Sequence, residues 1–103
     1  MRKVEVSLHG IPAGYLTEKG KGEYTFEYLS EYNGSPISMT LPIRSTPYTY
    51  QNLPSFFEGL LPEGAQLDFL LKSKKIDEDD YFSQLVCIGD DFVGAVSIVE
   101  VFE

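Results

Sequence analysis

The sequence predicts an α+β fold: an antiparallel sheet, made of an N-terminal meander plus a C-terminal strand, with about three short helices inserted before the last strand. Three observations carry this. Apolar and polar residues alternate through the first forty-odd positions, the apolar spacing lengthens to three and four between Leu53 and Val86, and an apolar, β-branched run follows from Phe92 to Phe102. Alternation with period two marks half-buried strands, and spacing near 3.6 marks helices with one buried face. Strands first and helices after, with a strand returning to the sheet, is the order of an α+β domain.

Val4, Val6 and Leu8 alternate with Glu5 and Ser7 and predict a first strand, which His9-Gly10 turns back. Ile11, Ala13 and Tyr15 form a second, with Gly14 marking a bulge or a close backbone approach and Pro12 pointing to a sheet edge. Thr17 to Glu23 is polar and carries Gly20 and Gly22, so a loose turn is expected there. Tyr24, Phe26 and Tyr28 give a third strand; after the turn residues Asn33-Gly34-Ser35-Pro36, Ile37 to Leu41 gives a fourth that ends at Pro42.

Leu53, Phe56, Phe57, Leu60 and Leu61 fit a short helix stopped by Pro62, and Leu67, Leu70 and Leu71 fit a second after Gly64. Asp77 is the expected N-cap of a third helix with Tyr81, Phe82, Leu85 and Val86 inward and Gly89 as its end. The last strand is apolar on both alternating sets, so it is expected either at the centre of the sheet or with one face kept for a partner.

Length and composition limit the function. A chain of 103 residues is the size of one domain, expected to span residues 1–103, and 43% hydrophobic residues suffice for one core. Sixteen acidic against eight basic residues give a net charge of −8, which repels phosphate backbones and anionic lipid, so neither nucleic acid nor membrane is an expected partner. The single Cys87, in an apolar run, is expected to be a small buried hydrophobe without a disulfide, consistent with a reducing cytoplasm. Met1-Arg2-Lys3 leads straight into the alternating pattern, with no apolar stretch for a signal peptide or span.

Chemistry-bearing patterns are sparse. His9 alone builds neither a metal cluster nor a nucleophile–base pair, and no serine sits in a nucleophile elbow. Gly20-Lys21-Gly22 is a fragment of a phosphate-binding loop that nothing completes. Asp77 to Asp80 opens like a calcium loop, but Phe82 stands where that loop needs glycine; acidic residues in a first helical turn are explained by the helix dipole. Asp90-Asp91 could hold an ion or act as a general base, or simply turn the chain into the last strand. No catalytic residue, metal ligand or cofactor is expected.

The most unusual stretch is Phe56-Phe57-Glu58-Gly59-Leu60-Leu61-Pro62-Glu63-Gly64, a sharply turned segment that can present a loop with little entropy to lose on binding. With Leu60-Leu61-Pro62-Glu63-Gly64 at its centre, it resembles the hallmark of the N-terminal subdomain of HipA-type serine/threonine kinases, the toxins of bacterial toxin–antitoxin modules. His9-Gly10 with Ala13-Gly14-Tyr15-Leu16, Phe26-Glu27-Tyr28, Ile37 to Pro42 and Ile88-Gly89-Asp90-Asp91-Phe92-Val93-Gly94-Ala95 resemble other parts of that subdomain in the same order.

In that family the ATP-binding and catalytic groups belong to a larger region that follows this subdomain, so the resemblance carries no catalytic site over. It implies a cytoplasmic protein like the HipS-like antitoxins of three-gene HipBST systems, working with a short HipT-like serine/threonine kinase and a HipB-like DNA-binding protein in a ternary complex. The expected role is neutralisation of the kinase in trans, through Phe57 and the loop Leu61, Pro62, Glu63, Gly64, Ala65 and Gln66. The other role it allows is a non-inhibitory structural subunit that completes the kinase and links it to the DNA-binding partner. A small hydrolase or ligand-binding barrel is the reading from another class; it needs a concave site with convergent polar groups. An aromatic just after Pro-Glu-Gly could plug the kinase's active site, and this chain has Ala65 there.

Overall fold

The computed structural model describes residues 2–20, 22–88 and 95–101. They form a five-stranded antiparallel sheet and three helices, in the order β1 (Arg2–Leu8), β2 (Ile11–Gly20), β3 (Glu23–Tyr28), β4 (Tyr48–Tyr50), α1 (Ser55–Glu58), α2 (Gly64–Lys74), α3 (Tyr81–Ile88) and β5 (Val96–Val101). The spatial order is β4-β3-β2-β1-β5, a meander with the last strand added beyond the first. The α+β expectation is met.

The sheet follows from its side-chain alternation. Val4, Val6, Leu16, Tyr24, Phe26, Tyr28 and Ile98 are buried on one face, while Lys3, Glu5, Tyr15, Thr25 and Glu27 take the other. The β1–β2 hairpin closes on His9 and Gly10, both at positive φ (53° and 80°), the pattern of a tight primed turn. At Gly14 a side chain would collide with the Glu27 carbonyl and lie 3.0 Å from Phe26 Cζ and Tyr28 Cα, so the close-approach reading is right. A bulge lies next to it at Ala13, the register shifting between Val6 and Ser7.

Several sequence expectations change. Thr17 to Gly20 is not a loose turn but the end of β2, paired through Lys3↔Thr17 and Thr17↔Thr25, and Gly20 opposes Glu23 across a two-residue connection. Strand ladders join backbone atoms, so polar side chains do not prevent pairing. Pro12 lies in an interior strand rather than an edge strand; it is tolerated because the last β2–β3 pair is Gly14↔Tyr28, so nothing pairs Pro12 on that side.

Ile37 to Leu41 is a turn rather than the fourth strand, which is Tyr48–Tyr50 instead. Ile37 and Leu41 are buried while Met39 between them is 97% exposed, and the Leu41 N–H bonds the Ser38 carbonyl at 3.1 Å. The Tyr28 hydroxyl fixes this turn: it donates to the Leu41 carbonyl and accepts the Ile37 N–H at 3.1 Å. Tyr32, stacked on Tyr28 with centroids 5.9 Å apart, donates its hydroxyl to the Ser35 carbonyl.

The buried face of the sheet is covered by this loop, by Phe57 of α1 and by Phe82 and Leu85 of α3. Asp80, not Asp77, caps α3. Its carboxylate accepts the Ser83 N–H at 3.2 Å and the Ser83 hydroxyl at 2.7 Å, and its carbonyl accepts the Gln84 N–H at 3.2 Å. Asp77 is held earlier in the turn: Gln84, 1% exposed, donates its side-chain amide to the Asp77 and Glu78 carbonyls at 3.3 and 3.1 Å. Phe82 and Leu85 point inward, with Val86 partly buried against them, but Tyr81 is 42% exposed. Cys87 is exposed as well, because it follows the inward pair Leu85-Val86 round the helix and lands outside.

Among the described residues β5 pairs with β1 alone and lies at the sheet's edge rather than its centre; Ile98 is buried and Val99 is 55% exposed. The Gly89 end of α3, the Asp90-Asp91 turn, Phe92 to Gly94 and Phe102 lie outside the described residues.

Candidate functional site

The segment joining α1 to α2 is built by short-range backbone bonds. Gly59 N–H bonds the Ser55 carbonyl at 3.0 Å, Leu60 N–H bonds Phe57 at 3.1 Å and Leu61 N–H bonds Glu58 at 3.1 Å, closing a turn that Pro62, with no N–H, cannot extend. Glu63 is extended (φ −130°, ψ 161°) and its side chain makes no capping bond. Gly64 then starts α2 at φ +61°, a conformation that costs an L-residue about 1–2 kcal/mol. This is the physical reason for glycine there.

The structure divides the seven residues expected at a partner surface. Phe57 is fully buried, 5.8 Å from Phe26 and 5.2 Å from Phe56 between ring centroids, so it supports the segment from behind. Leu61 and Pro62 are half-buried, and Leu61 packs against the core. Glu63, Gly64, Ala65 and Gln66 are exposed. The segment therefore presents a short polar tip on an apolar base.

Sequence reasoning overlooked Phe69. It lies one helical turn beyond Ala65 and is 74% exposed. The signal was available, since Phe69 falls between the spaced leucines Leu67, Leu70 and Leu71 and on the other side of the helix from them.

A second feature gathers charge. Arg2 reaches from β1 to Glu18 of β2 (Nη2–Oε1 2.7 Å), to Asp80 (Nη2–Oδ1 2.9 Å) and to the Ser83 hydroxyl at 2.9 Å, and lies 5.0 Å from the Phe82 ring centroid. Burial alone would lower the Arg2 pKa, but the bonds to Asp80 and Glu18 outweigh it and the net shift is upward. Burial, followed by neighbouring Glu18, pushes Tyr24 up to about 12.

Arg2, Glu18, Tyr24 and Asp80 line an open groove of about 1080 Å³ together with Glu58 and Asp77 to Asp79; none of residues 61–66 borders it. Its lining is mostly charged and polar, with Arg2 and Lys19 among carboxylates, rather than the predominantly apolar surface of a small-molecule site. Among the described residues no group of histidine, cysteine and acidic side chains is arranged to hold a metal. His9 is exposed at the hairpin tip, its N–H bonded to the Ala95 carbonyl at 2.8 Å.

The profile of the HipA N-terminal domain matches residues 4–99. The chain belongs to the HipA N-terminal domain family. A solved structure of the N-terminal domain of HipA toxin superposes with a TM-score of 0.78 at 30% identity, covering 100% of this chain and 95% of that one. An uncharacterised protein of Haemophilus influenzae is 35% identical over 100 residues, which span 97% of this chain and 93% of the relative. A putative kinase of Sinorhizobium fredii is 29% identical, and the serine/threonine-protein kinase toxin HipA of Shewanella oneidensis 33% identical, over 24% and 23% of their lengths. The chain thus spans about a quarter of each kinase relative and almost all of the Haemophilus one. It is related to the kinase toxins through this domain, which is distinct from their catalytic part. Among the described residues no helix is long and apolar enough to cross a membrane.

Proposed function

We propose that this chain is an antitoxin: it binds a HipA-type serine/threonine kinase in trans and neutralises it without chemistry of its own. The observation that carries the reading is the pair of contexts in which the domain occurs. It makes up about a quarter of HipA kinase toxins and nearly the whole of a Haemophilus relative, so a copy on a separate chain can take the place beside a kinase that the covalent copy occupies. The contact is made by the exposed tip Glu63 to Gln66, set on Leu61 and Pro62 and backed by buried Phe57. The complex is cytoplasmic and includes a HipB-like DNA-binding protein; with a net charge of −8 the chain itself meets protein rather than DNA.

Phosphate transfer by a short HipA-type kinase, measured with and without the purified chain, is the test. Activity should fall in proportion to complex formed, and co-expression should restore growth. A complex with unchanged or higher kinase activity would make the chain the structural subunit that completes the kinase. No complex at all would end both readings.

A further inference from the structure

We infer that one end of the sheet's solvent face, where Ile11, Tyr15, Leu29 and Ile43 lie among Glu5, Glu27 and Glu31, is a docking surface for a basic protein segment that carries an apolar side chain between lysines or arginines. This surface is separate from the loop 61–66 and does not depend on kinase binding. Three observations carry the inference.

The first is placement. Glu5, Tyr15 and Glu27 are successive partners across β1, β2 and β3, so their side chains share the face opposite α1 and α3. Two adjoining hollows of about 540 and 400 Å³ open at this end of the face, and Tyr15, Leu29, Glu31 and Tyr32 border both. Glu27 and Ile43 border the first hollow, Glu5 and Ile11 the second. The apolar and acidic residues therefore lie on one continuous surface.

The second is apolar exposure on a fixed frame. The neighbouring row of this face, Lys3, Thr17, Thr25 and Thr49, is polar, as a solvated sheet face should be. Ile11 and Ile43 are 60% and 40% exposed, and neither belongs to the core cluster. Grouped in a hollow beside Tyr15 and Leu29, they form a patch rather than scattered surface residues. Its walls are set before any partner arrives: the Leu29 N–H bonds the Ala13 carbonyl at 2.8 Å, the Tyr32 N–H bonds the Leu29 carbonyl at 3.1 Å, and the Tyr32 ring stacks on Tyr28. A preformed hollow loses little entropy on binding.

The third is charge. Among the described residues Glu5, Glu27 and Glu31 enter no ion pair. Arg44, the one cation bordering these two hollows, is already engaged: it donates to the Thr46 and Pro47 carbonyls at 3.0 and 2.8 Å and lies 3.6 Å from the Tyr48 ring centroid. At the other end of the face Arg2, Lys3 and Lys19 stand against Glu27 and Glu100, so the carboxylates gather where the apolar side chains are. A segment with cations round an apolar anchor matches both features and is drawn to this end. A second copy of this chain is not, because pairing the patch with itself opposes carboxylate to carboxylate.

The experiment titrates the full chain with the capped peptide Lys-Leu-Lys-Leu-Lys and follows backbone amide shifts by NMR, with Glu-Leu-Glu-Leu-Glu and Lys-Ser-Lys-Ser-Lys as controls. Shifts should cluster round Ile11, Tyr15, Leu29 and Ile43, and neither control should reproduce them. Ile11→Ser/Ile43→Ser should weaken binding by about tenfold with little change in melting, since both side chains are exposed. Glu27→Lys/Glu31→Lys should weaken it about tenfold, whereas Glu58→Lys/Glu78→Lys, the same charge change in the groove of the other face, should alter it by less than about twofold. Equal loss from the two charge variants, or shifts spread over the acidic groove, would reduce the effect to net charge and overturn the inference. Equal binding of either control peptide would overturn it too. A dimer in sedimentation equilibrium that Ile11→Ser/Ile43→Ser abolishes would make the occupant a second copy and refute the basic segment.

Discussion

Single side chains decide local structure in this fold to an unusual degree. Tyr28 illustrates it: its ring lies edge-on to Phe26 with centroids 4.9 Å apart, and its hydroxyl answers the Ile37 N–H and the Leu41 carbonyl. Tyr28→Phe keeps the ring and removes both bonds, leaving two backbone groups of a buried turn unsatisfied. A loss of about 1–3 kcal/mol is expected, measured as a lower urea midpoint with unchanged slope. Phe69 behaves in the opposite way. Its exposure makes its removal nearly neutral for folding, so any effect on binding reports on the surface itself.

Between elements, the Arg2 cluster ties β1 to β2 and to the start of α3. Burial alone would raise the Asp80 carboxyl, but hydrogen bonds from Arg2 and Ser83 dominate and hold it below its ordinary value. A carboxyl whose pKa is lower in the folded state contributes stability above its unfolded value of about 3.9 and loses it as pH falls through the folded value. Asp80→Asn keeps a side-chain cap on α3 and deletes the titrating charge. Urea midpoints recorded from pH 6 down to pH 2 should therefore fall less steeply for Asp80→Asn than for the wild type. Arg2 and Asp80 are both about one-third exposed, so the pair acts as a locator of α3 more than as a large source of stability.

At the scale of the whole molecule, one hydrophobic cluster joins the sheet, the 29–47 loop, α1 and α3, while α2 stands outside it. Phe57 links the two halves, touching Phe26 on the sheet side and Phe56 on the helix side. Phe57→Ala should cost about 3–5 kcal/mol, a large share of the roughly 5–15 kcal/mol that holds a domain together. Circular dichroism should show sheet and helix signals melting together at a much lower temperature. The same variant should also lose kinase binding, through collapse of the loop's support rather than loss of a contact.

The sequence by itself determined much of this protein. Alternation placed β1 and β3, the apolar spacing placed all three helices, and Leu60 to Gly64 carried both the family and the loop, because each of these signals is local: it depends on residues within one or two turns of each other. Tertiary structure decided what depends on distant partners. Thr17 to Gly20 became strand only because β1 and β3 lie beside it, and Ile37 to Leu41 became a turn because a hydroxyl from Tyr28 reached it. Asp80 displaced Asp77 as the cap because Arg2, far away in the chain, holds it in place. Whether an apolar residue is core or surface was settled the same way: Phe57 and Phe69 are the same side chain on neighbouring helices, and only the packing of the whole chain buries one and leaves the other to solvent.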